Sequence, residues 1–208
     1  MTLPADYFGS LYQASPDPWG FEDRWYEERK RAVTLAALPE PRYLSAFEPG
    51  CSIGMLTLSL AQRCDSLLAS DLSPVALREA ADRLRGWNNV YLEQQCLPRD
   101  WPPGKFDLVV LSEILYYLSP TDLDDMIAKA SCSIMGGGTL LSVHWRRDVP
   151  DYPQKGDAVQ RRVEALRDKS LEQTVHHVEA DFDLAVYVKR RDTNIYEELS
   201  VAAQEGLR

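Results

Sequence analysis

Glu48-Pro49-Gly50-Cys51-Ser52-Ile53-Gly54 is the stretch of this chain best suited to cradling a small ligand. Small residues at 50, 52 and 54 let main chain approach a bound molecule closely, and a helix starting just beyond them offers free N–H groups. Seventeen residues past Gly54 stands Asp71. A carboxylate there can accept both hydroxyls of a ribose held against the glycine turn, and ligands of open α/β sheets lie at the carboxyl ends of the strands. The plainer alternative is a tight strand-to-helix turn in which Asp71 only caps the helix beginning near Ser73.

Such a turn works only if strands and helices alternate around it. Residues 43–48, 66–70, 90–93, 106–111 and 139–145 read as strands. The stretch 106–111, with Val109 and Val110 at its centre, is apolar on both faces, as a buried parallel strand is. Between the strands, residues 55–64, 74–84 and 121–135 read as helices, and Ser73-Pro74 supplies an N-cap hydroxyl followed by proline at the first helical position. Gly136, Gly137 and Gly138 form the expected turn before the fifth strand. A helix over 157–166 follows, then strands over 173–178 and 183–188 joined too tightly for a parallel crossover. The expected fold class is therefore α/β, a mostly parallel seven-stranded sheet with a C-terminal antiparallel hairpin and helices on both faces, its antiparallel strand at the end of the sheet.

Three regions are expected: an aromatic lid over 1–42, a ligand-binding body over 43–190 and a polar, weakly helical tail over 191–208. In the first, Pro16 and Pro18 bar a continuous helix, and a helix over 25–38 follows them.

At 208 residues, with 45% hydrophobic and 26% charged side chains, the chain has globular composition. A chain of this size buries roughly 70% of its unfolded surface and needs no metal or disulfide staple. The formal charge of -9 repels bulk nucleic acid and anionic membrane while tolerating a neutral or cationic substrate. The cysteines Cys51, Cys64, Cys96 and Cys132 form no C-x-x-C pair and, with three histidines, no zinc set; buried free thiols in a reducing compartment are expected. His176 and His177 are adjacent, so on a strand they point to opposite faces and cannot share a site. No apolar run approaches the ~18 residues of a membrane span, and Asp6 and Asp17 interrupt any signal-peptide pattern. A soluble, cytoplasmic protein with no nucleic-acid or membrane partner is the expectation.

The acid-led G-x-S-x-G spacing, Asp71, the segment 106–113 and the glycine-rich 136–141 resemble class I S-adenosylmethionine-dependent methyltransferases. The opening segment Tyr7 to Trp19, ending Asp17-Pro18-Trp19, then Tyr26, Glu28, Arg29 and Lys30, together with residues 47–54 and 111–118, is similar to the nodulation protein S methyltransferases. That resemblance implies S-adenosylmethionine as cofactor. It implies methyl transfer to the amine of a de-N-acetylated chitooligosaccharide or a similar amino sugar or small metabolite, nitrogen being favoured over oxygen. Two rivals stand beside it, a non-catalytic nucleotide-binding protein on the same fold and a nicotinamide-dependent oxidoreductase.

On that resemblance Glu48 lies near the amino-acid part of the cofactor, Gly50, Cys51, Ser52 and Gly54 pass under its sugar, and Asp71 with Leu72 takes the ribose. Cys96 stands where the family usually has an Asp that holds the adenine amine, and Leu97 and Ser112 are further cofactor-binding residues. Trp19 is expected to cover the sulfonium by cation–π attraction, and Arg29 to pair with the cofactor carboxylate, unless Arg29, Lys30 and Arg31 form a solvated helix face. Glu113 and His144, at the ends of strands four and five, are the catalytic candidates for taking an acceptor proton. For Glu113 the alternative is loop hydrogen bonding, and for His144 a satisfied core histidine. Tyr12, Tyr116 and Tyr117 are the expected substrate-binding residues, although aromatics in the opening segment also serve as packing.

Overall fold

The computed structural model describes residues 1–191. The expected tail, including its helical stretch over 196–204, lies outside the described residues apart from Arg191. In chain order the elements are α1 (Ala5–Ala14), α2 (Trp25–Ala37), β1 (Ala46–Pro49), α3 (Met55–Ala61), β2 (Leu67–Asp71), α4 (Pro74–Arg83) and β3 (Val90–Gln94). Next come β4 (Phe106–Ser112), a single helical turn (Leu115–Tyr117), α5 (Pro120–Ser133), β5 (Ile134–Trp145), α6 (Gly156–Leu166), β6 (Leu171–Val178) and β7 (Phe182–Lys189).

One seven-stranded sheet runs in the order β3-β2-β1-β4-β5-β7-β6. The first five strands pair in parallel, and β7 is antiparallel to both β5 and β6. This corrects one expectation. The antiparallel strand is not at the end of the sheet: the hairpin folds back so that β7 inserts beside β5 and leaves β6 at the edge. β7 is the strand that can be buried there, with Leu184 to Val186 essentially inaccessible, whereas β6 is mostly exposed and carries polar residues suited to an edge.

A second correction concerns Gly136 to Gly138, which lie inside β5 rather than before it. The strand starts at Ile134, and its pairing with β4 shifts register between Phe106 and Leu108, where the small residues absorb an irregularity. α1 has no counterpart among the expected elements. The prolines bar a helix through the whole opening segment but leave ten residues before them free to form one, and it packs Tyr12 against Ile53 and Ala76.

Local chemistry accounts for the helix starts. Ser73 Oγ accepts the Ala76 N–H at 3.3 Å with Pro74 next in line, and Ser119 Oγ does the same for Asp122 at 3.2 Å ahead of Pro120. Leu108, Val109, Val110 and Leu111 of β4 are all within 1% of complete burial, contacting one layer of helices on each face. Each such side chain contributes about 1.5–3 kcal/mol of hydrophobic stabilisation. Of the cysteines, Cys51 and Cys64 are buried free thiols, Cys96 is half-buried and Cys132 is exposed, against the expectation that all are inside. Among the described residues no helix is long and apolar enough to cross a membrane.

β1 sits between β2 and β4, so successive connections leave it in opposite directions. The crevice at the carboxyl ends of β1 and β4 is the switch point where open α/β sheets bind ligands.

Candidate active site

A cavity of about 1140 Å³ opens at this switch point. Its floor at one end is the glycine turn. Gly50 and Ser52 both take positive φ, +73° and +50°, which folds the turn away from the crevice and presents its main chain. Asp71, at the end of β2, accepts the Ser52 N–H on one oxygen (2.9 Å) and the Ser73 N–H on the other (2.8 Å). Its carboxylate therefore both caps the next helix and pins the turn. The residue also lines the cavity. Burial pushes its pKa up, and the backbone N–H donors of Ser73, Ser52 and Leu72 oppose this.

Glu48 is 2% exposed and its Oε2 has no partner in the protein. Burial, aided by the Asp71 charge, pushes its pKa up to about 8. Ser70 Oγ and Gln95 Oε1 border the same cavity and also lack partners. Buried polar atoms seldom stay unpaired. Three of them around one cavity, beside the Asp71 carboxylate, suit a ligand carrying an ammonium group, hydroxyls and an exocyclic amine. The donor and acceptor set thus fits an S-adenosylmethionine-like molecule.

α1 and the residues just before it line one side of the cavity. Leu3 N–H bonds Tyr117 O at 2.9 Å, Phe8 meets Tyr117 edge-on at 5.0 Å, and the Tyr12 hydroxyl reaches Ser52 Oγ at 2.6 Å. Tyr12, expected among the substrate residues, therefore lies at the glycine turn. Trp19 lines the cavity, edge-on to Tyr12 at 5.5 Å and tilted against Phe21 at 5.6 Å. Cys51, Leu72, Cys96, Leu97 and Ser112 are in the wall as well.

The other end of the cavity is built from α2 and the loop after β4. Lys30 Nζ bonds Glu113 Oε1 at 2.6 Å and Glu27 Oε2 at 2.9 Å. Glu113 Oε2 accepts the Tyr116 hydroxyl (2.6 Å) and the Trp145 N–H (2.9 Å). Burial would raise the Glu113 pKa, but the Lys30 charge, His144 and these hydrogen bonds outweigh it and hold the carboxyl below its ordinary value. Tyr116 stacks on Tyr152 at 5.0 Å, Tyr117 lies edge-on to both, and Tyr26 and Asp181 complete the wall.

Three expected residues fall outside the cavity. Arg29 turns to the opposite side of α2, where both its terminal nitrogens bind Glu179 at 2.6 and 2.7 Å; Arg31, two positions on, lines the cavity instead and donates to Phe21 O at 2.7 Å. His144 is fully buried behind Glu113. Its Nε2 accepts the Leu115 N–H at 3.4 Å and its Nδ1 meets Ser142 Oγ at 3.2 Å, so it braces the turn that carries Tyr116. Burial lowers its pKa to about 4 and keeps it neutral at neutral pH. Gly54 faces Ala80 of α4. The reading from sequence missed Glu27, Lys30, Arg31 and Thr34 on α2, Trp145 at the end of β5 and Tyr152 beyond it.

Gly156, at the start of α6, abuts the end of β5. A Cβ there would lie 1.7 Å from Trp145 O. Gly156→Ala is therefore expected to push back the carbonyl of Trp145, the residue whose N–H holds Glu113, costing about 3 kcal/mol or more in urea denaturation. An unchanged urea midpoint would show that α6 can slide freely.

The nodulation protein S (NodS) family model matches residues 11–133. Nodulation protein S of Bradyrhizobium diazoefficiens is 31% identical over 106 residues, covering 50% of this chain and 51% of that protein. The chain spans about half the length of the curated nodulation proteins it matches. Among solved structures, a Pseudomonas syringae protein assigned as a methyltransferase is 41% identical with a TM-score of 0.70, covering 80% of this chain and 100% of that one. The N-methyltransferase NodS of Bradyrhizobium japonicum WM9, in complex with S-adenosyl-L-homocysteine, shares the fold at a TM-score of 0.77 and 23% identity, over 88% of this chain and 97% of that one. With more than half of its length matched by one family model and its sheet order and crevice those of the fold, the chain belongs to the nodulation protein S family of class I S-adenosylmethionine-dependent methyltransferases.

Proposed function

We propose that this protein transfers the methyl group of S-adenosylmethionine to an amine of a saccharide or small metabolite. The observation that carries the reading is the continuity of the cavity. The glycine turn with Asp71, and the acidic, tyrosine-rich end with Glu27 and Glu113, line one space. A donor held at the first end faces an acceptor held at the second. The name of the Bradyrhizobium japonicum relative, an N-methyltransferase, supports nitrogen as the acceptor atom.

When bound, S-adenosylmethionine supplies an electrophilic methyl carbon on a sulfonium. Asp71 would take the ribose hydroxyls, Glu48 the ammonium and Arg31 the carboxylate of the amino-acid part, while Gln95 Oε1 offers an acceptor to the adenine amine that Cys96 does not. Trp19, Tyr12 and Phe8 close the lid, exclude water and hold donor and acceptor in line, the geometry on which displacement at carbon depends. The acceptor end carries two carboxylates against one ammonium. Its one excess negative charge favours an amine, which arrives as a cation, over a neutral hydroxyl.

Calorimetric binding of S-adenosylhomocysteine, followed by labelled methyl transfer to glucosamine-terminated and fully acetylated chitooligosaccharides, tests the reading. Label is expected only on the free amines. Tight binding with no transfer to any acceptor would favour a non-catalytic nucleotide-binding role. Asp71→Ala is expected to weaken S-adenosylhomocysteine by about 1.5–3 kcal/mol, as for hydrogen bonds to a charged group. Unchanged affinity would remove Asp71 from the ribose.

A further inference from the structure

The charged cluster on the α2 side of the cavity is asymmetric in a way that chemistry can use. Lys30, Glu27 and Glu113 have side chains only 6%, 10% and 12% exposed. Glu113 is saturated: Lys30 occupies one oxygen, and Tyr116 and the Trp145 N–H the other. Its backbone is also committed, with φ at +58°. Glu27 accepts from Lys30 alone, at 2.9 and 3.2 Å, and lines the cavity with lone pairs to spare. Of the neighbouring acids, Asp181 also borders the cavity, but Arg147 pairs with its Oδ1 and its side chain is 43% exposed, so it is far more open to solvent than Glu27.

We propose that Glu27 is the group that takes the acceptor's proton, with Lys30 poised between it and Glu113 and Glu113 serving as the fixed anchor of the cluster. The proposal rests on the amine-methylation reading above. The acceptor enters as R–NH3⁺. One N–H proton passes to a Glu27 carboxylate oxygen, leaving R–NH2 with its lone pair. That pair forms the new N–C bond as the methyl–sulfur bond breaks, and the electrons of the broken bond stay on sulfur as a neutral thioether. The product leaves as R–NH2⁺–CH3, and Glu27 returns its proton to water when the cavity opens. No further reactant is needed.

The electrostatics around Glu27 agree with this division of labour. It faces Tyr26, Lys30 and Arg31 from its own helix, Glu113 and Tyr116 from the segment after β4, His144 behind Glu113, and Asp181 from the turn before β7. Burial raises the Glu27 pKa and the Glu113 charge adds to this, with Lys30 and Arg31 opposing. The Glu113 pKa is displaced in the other direction. Two carboxylates sharing one cation but pushed apart in basicity are the usual mark of one that moves a proton and one that does not.

The test compares the full-length wild type, Glu27→Gln, Glu27→Asp and Glu113→Gln. Each is assayed for methyl transfer to glucosamine, chitobiose with free amines and methylamine between about pH 6 and pH 10, and for S-adenosylhomocysteine affinity by calorimetry. Glu27→Gln is expected to lose about 100-fold or more in kcat/KM at neutral pH. The gap should narrow at the alkaline end, where the amine deprotonates in solution, while cofactor-product affinity stays within about twofold. Glu27→Asp should restore part of the neutral rate, and Glu113→Gln should be slower by a similar factor at every pH. A Glu27→Gln protein that works at the wild-type rate, or loses the same factor at all pH values, overturns the assignment. A wild type that binds S-adenosylhomocysteine but methylates none of the amines overturns the amine reading, and this proposal with it. If Glu27→Gln does not fold, carboxyl-carbon NMR titration of glutamate-labelled wild type decides. A Glu27 midpoint above the ordinary glutamate value is expected, and one below it rules Glu27 out.

Discussion

Lys30→Met is expected to destabilise the protein by about 3–5 kcal/mol near neutral pH, the cost of breaking a buried ion pair and leaving charge uncompensated. Lys30 is 5% exposed and is the cation between two carboxylates. Methionine preserves its volume, so packing should survive and the electrostatic loss should dominate. The pH dependence follows from that. Without the ammonium, Glu27 and Glu113 face each other, and one must carry a proton in the folded state. Its folded pKa then lies above the unfolded value near ~4.3. Such a group contributes stability that is fully present below the unfolded pKa and lost as pH rises through the folded one. The deficit relative to wild type should therefore be small in mild acid and grow toward alkaline pH. Urea denaturation at about pH 5 and about pH 8 checks this. A deficit equal at both would mean that Lys30 acts through packing alone.

Gly50→Ala is the substitution expected to affect ligand binding most. The residue holds φ at +73°, and an added Cβ would lie 2.2 Å from Ile114 Cγ2. Left-handed backbone costs an L-residue about 1–2 kcal/mol, and overpacking a further ~1–3 kcal/mol. Ile114 follows Glu113 in the loop after β4, and both Ile114 and Gly50 line the cavity. Relief of the clash thus moves the glycine turn and the acceptor-side loop together. The expected result is a loss of S-adenosylhomocysteine binding by about 100-fold or more, on the sum of those costs, with the far side of the sheet intact. Calorimetry measures the affinity, and amide hydrogen exchange in β5 and β7 reports whether the sheet is preserved. Affinity within tenfold of wild type would show that the turn is not the cradle.

The glycine turn, Asp71 and the alternating strands could all be read along the chain because each is a local pattern. A turn needs small residues at set positions, a helix start needs Ser73 before Pro74, and a buried strand needs consecutive Val and Leu. The residues that were misread share a different feature. On α2, Glu27, Lys30 and Thr34 are polar at spacings of three and four, the signature of a solvated face, yet they are 8%, 5% and 2% exposed. Their partner Glu113 lies 83 residues from Lys30, and no local pattern announces it. Arg29 and Arg31 are equivalent as residue types. At roughly 100° per helical residue they lie on opposite sides of α2, and only the direction in which the helix docks decides that Arg31 meets the cavity while Arg29 meets Glu179.

The same division runs through the whole molecule. Element types, strand direction, the place of the cradle and the family follow from residue order, because backbone sterics, capping and hydrophobic period act within a few positions of one another. The position of β7 inside the sheet, the contact between Tyr12 and Ser52, the withdrawal of His144 behind Glu113 and the charge cluster on α2 depend on which surfaces meet after the chain has folded. Burial then sets their chemistry. A carboxylate, an ammonium or an imidazole changes its proton affinity according to the charges and hydrogen bonds packed around it, and those neighbours are brought from distant parts of the chain.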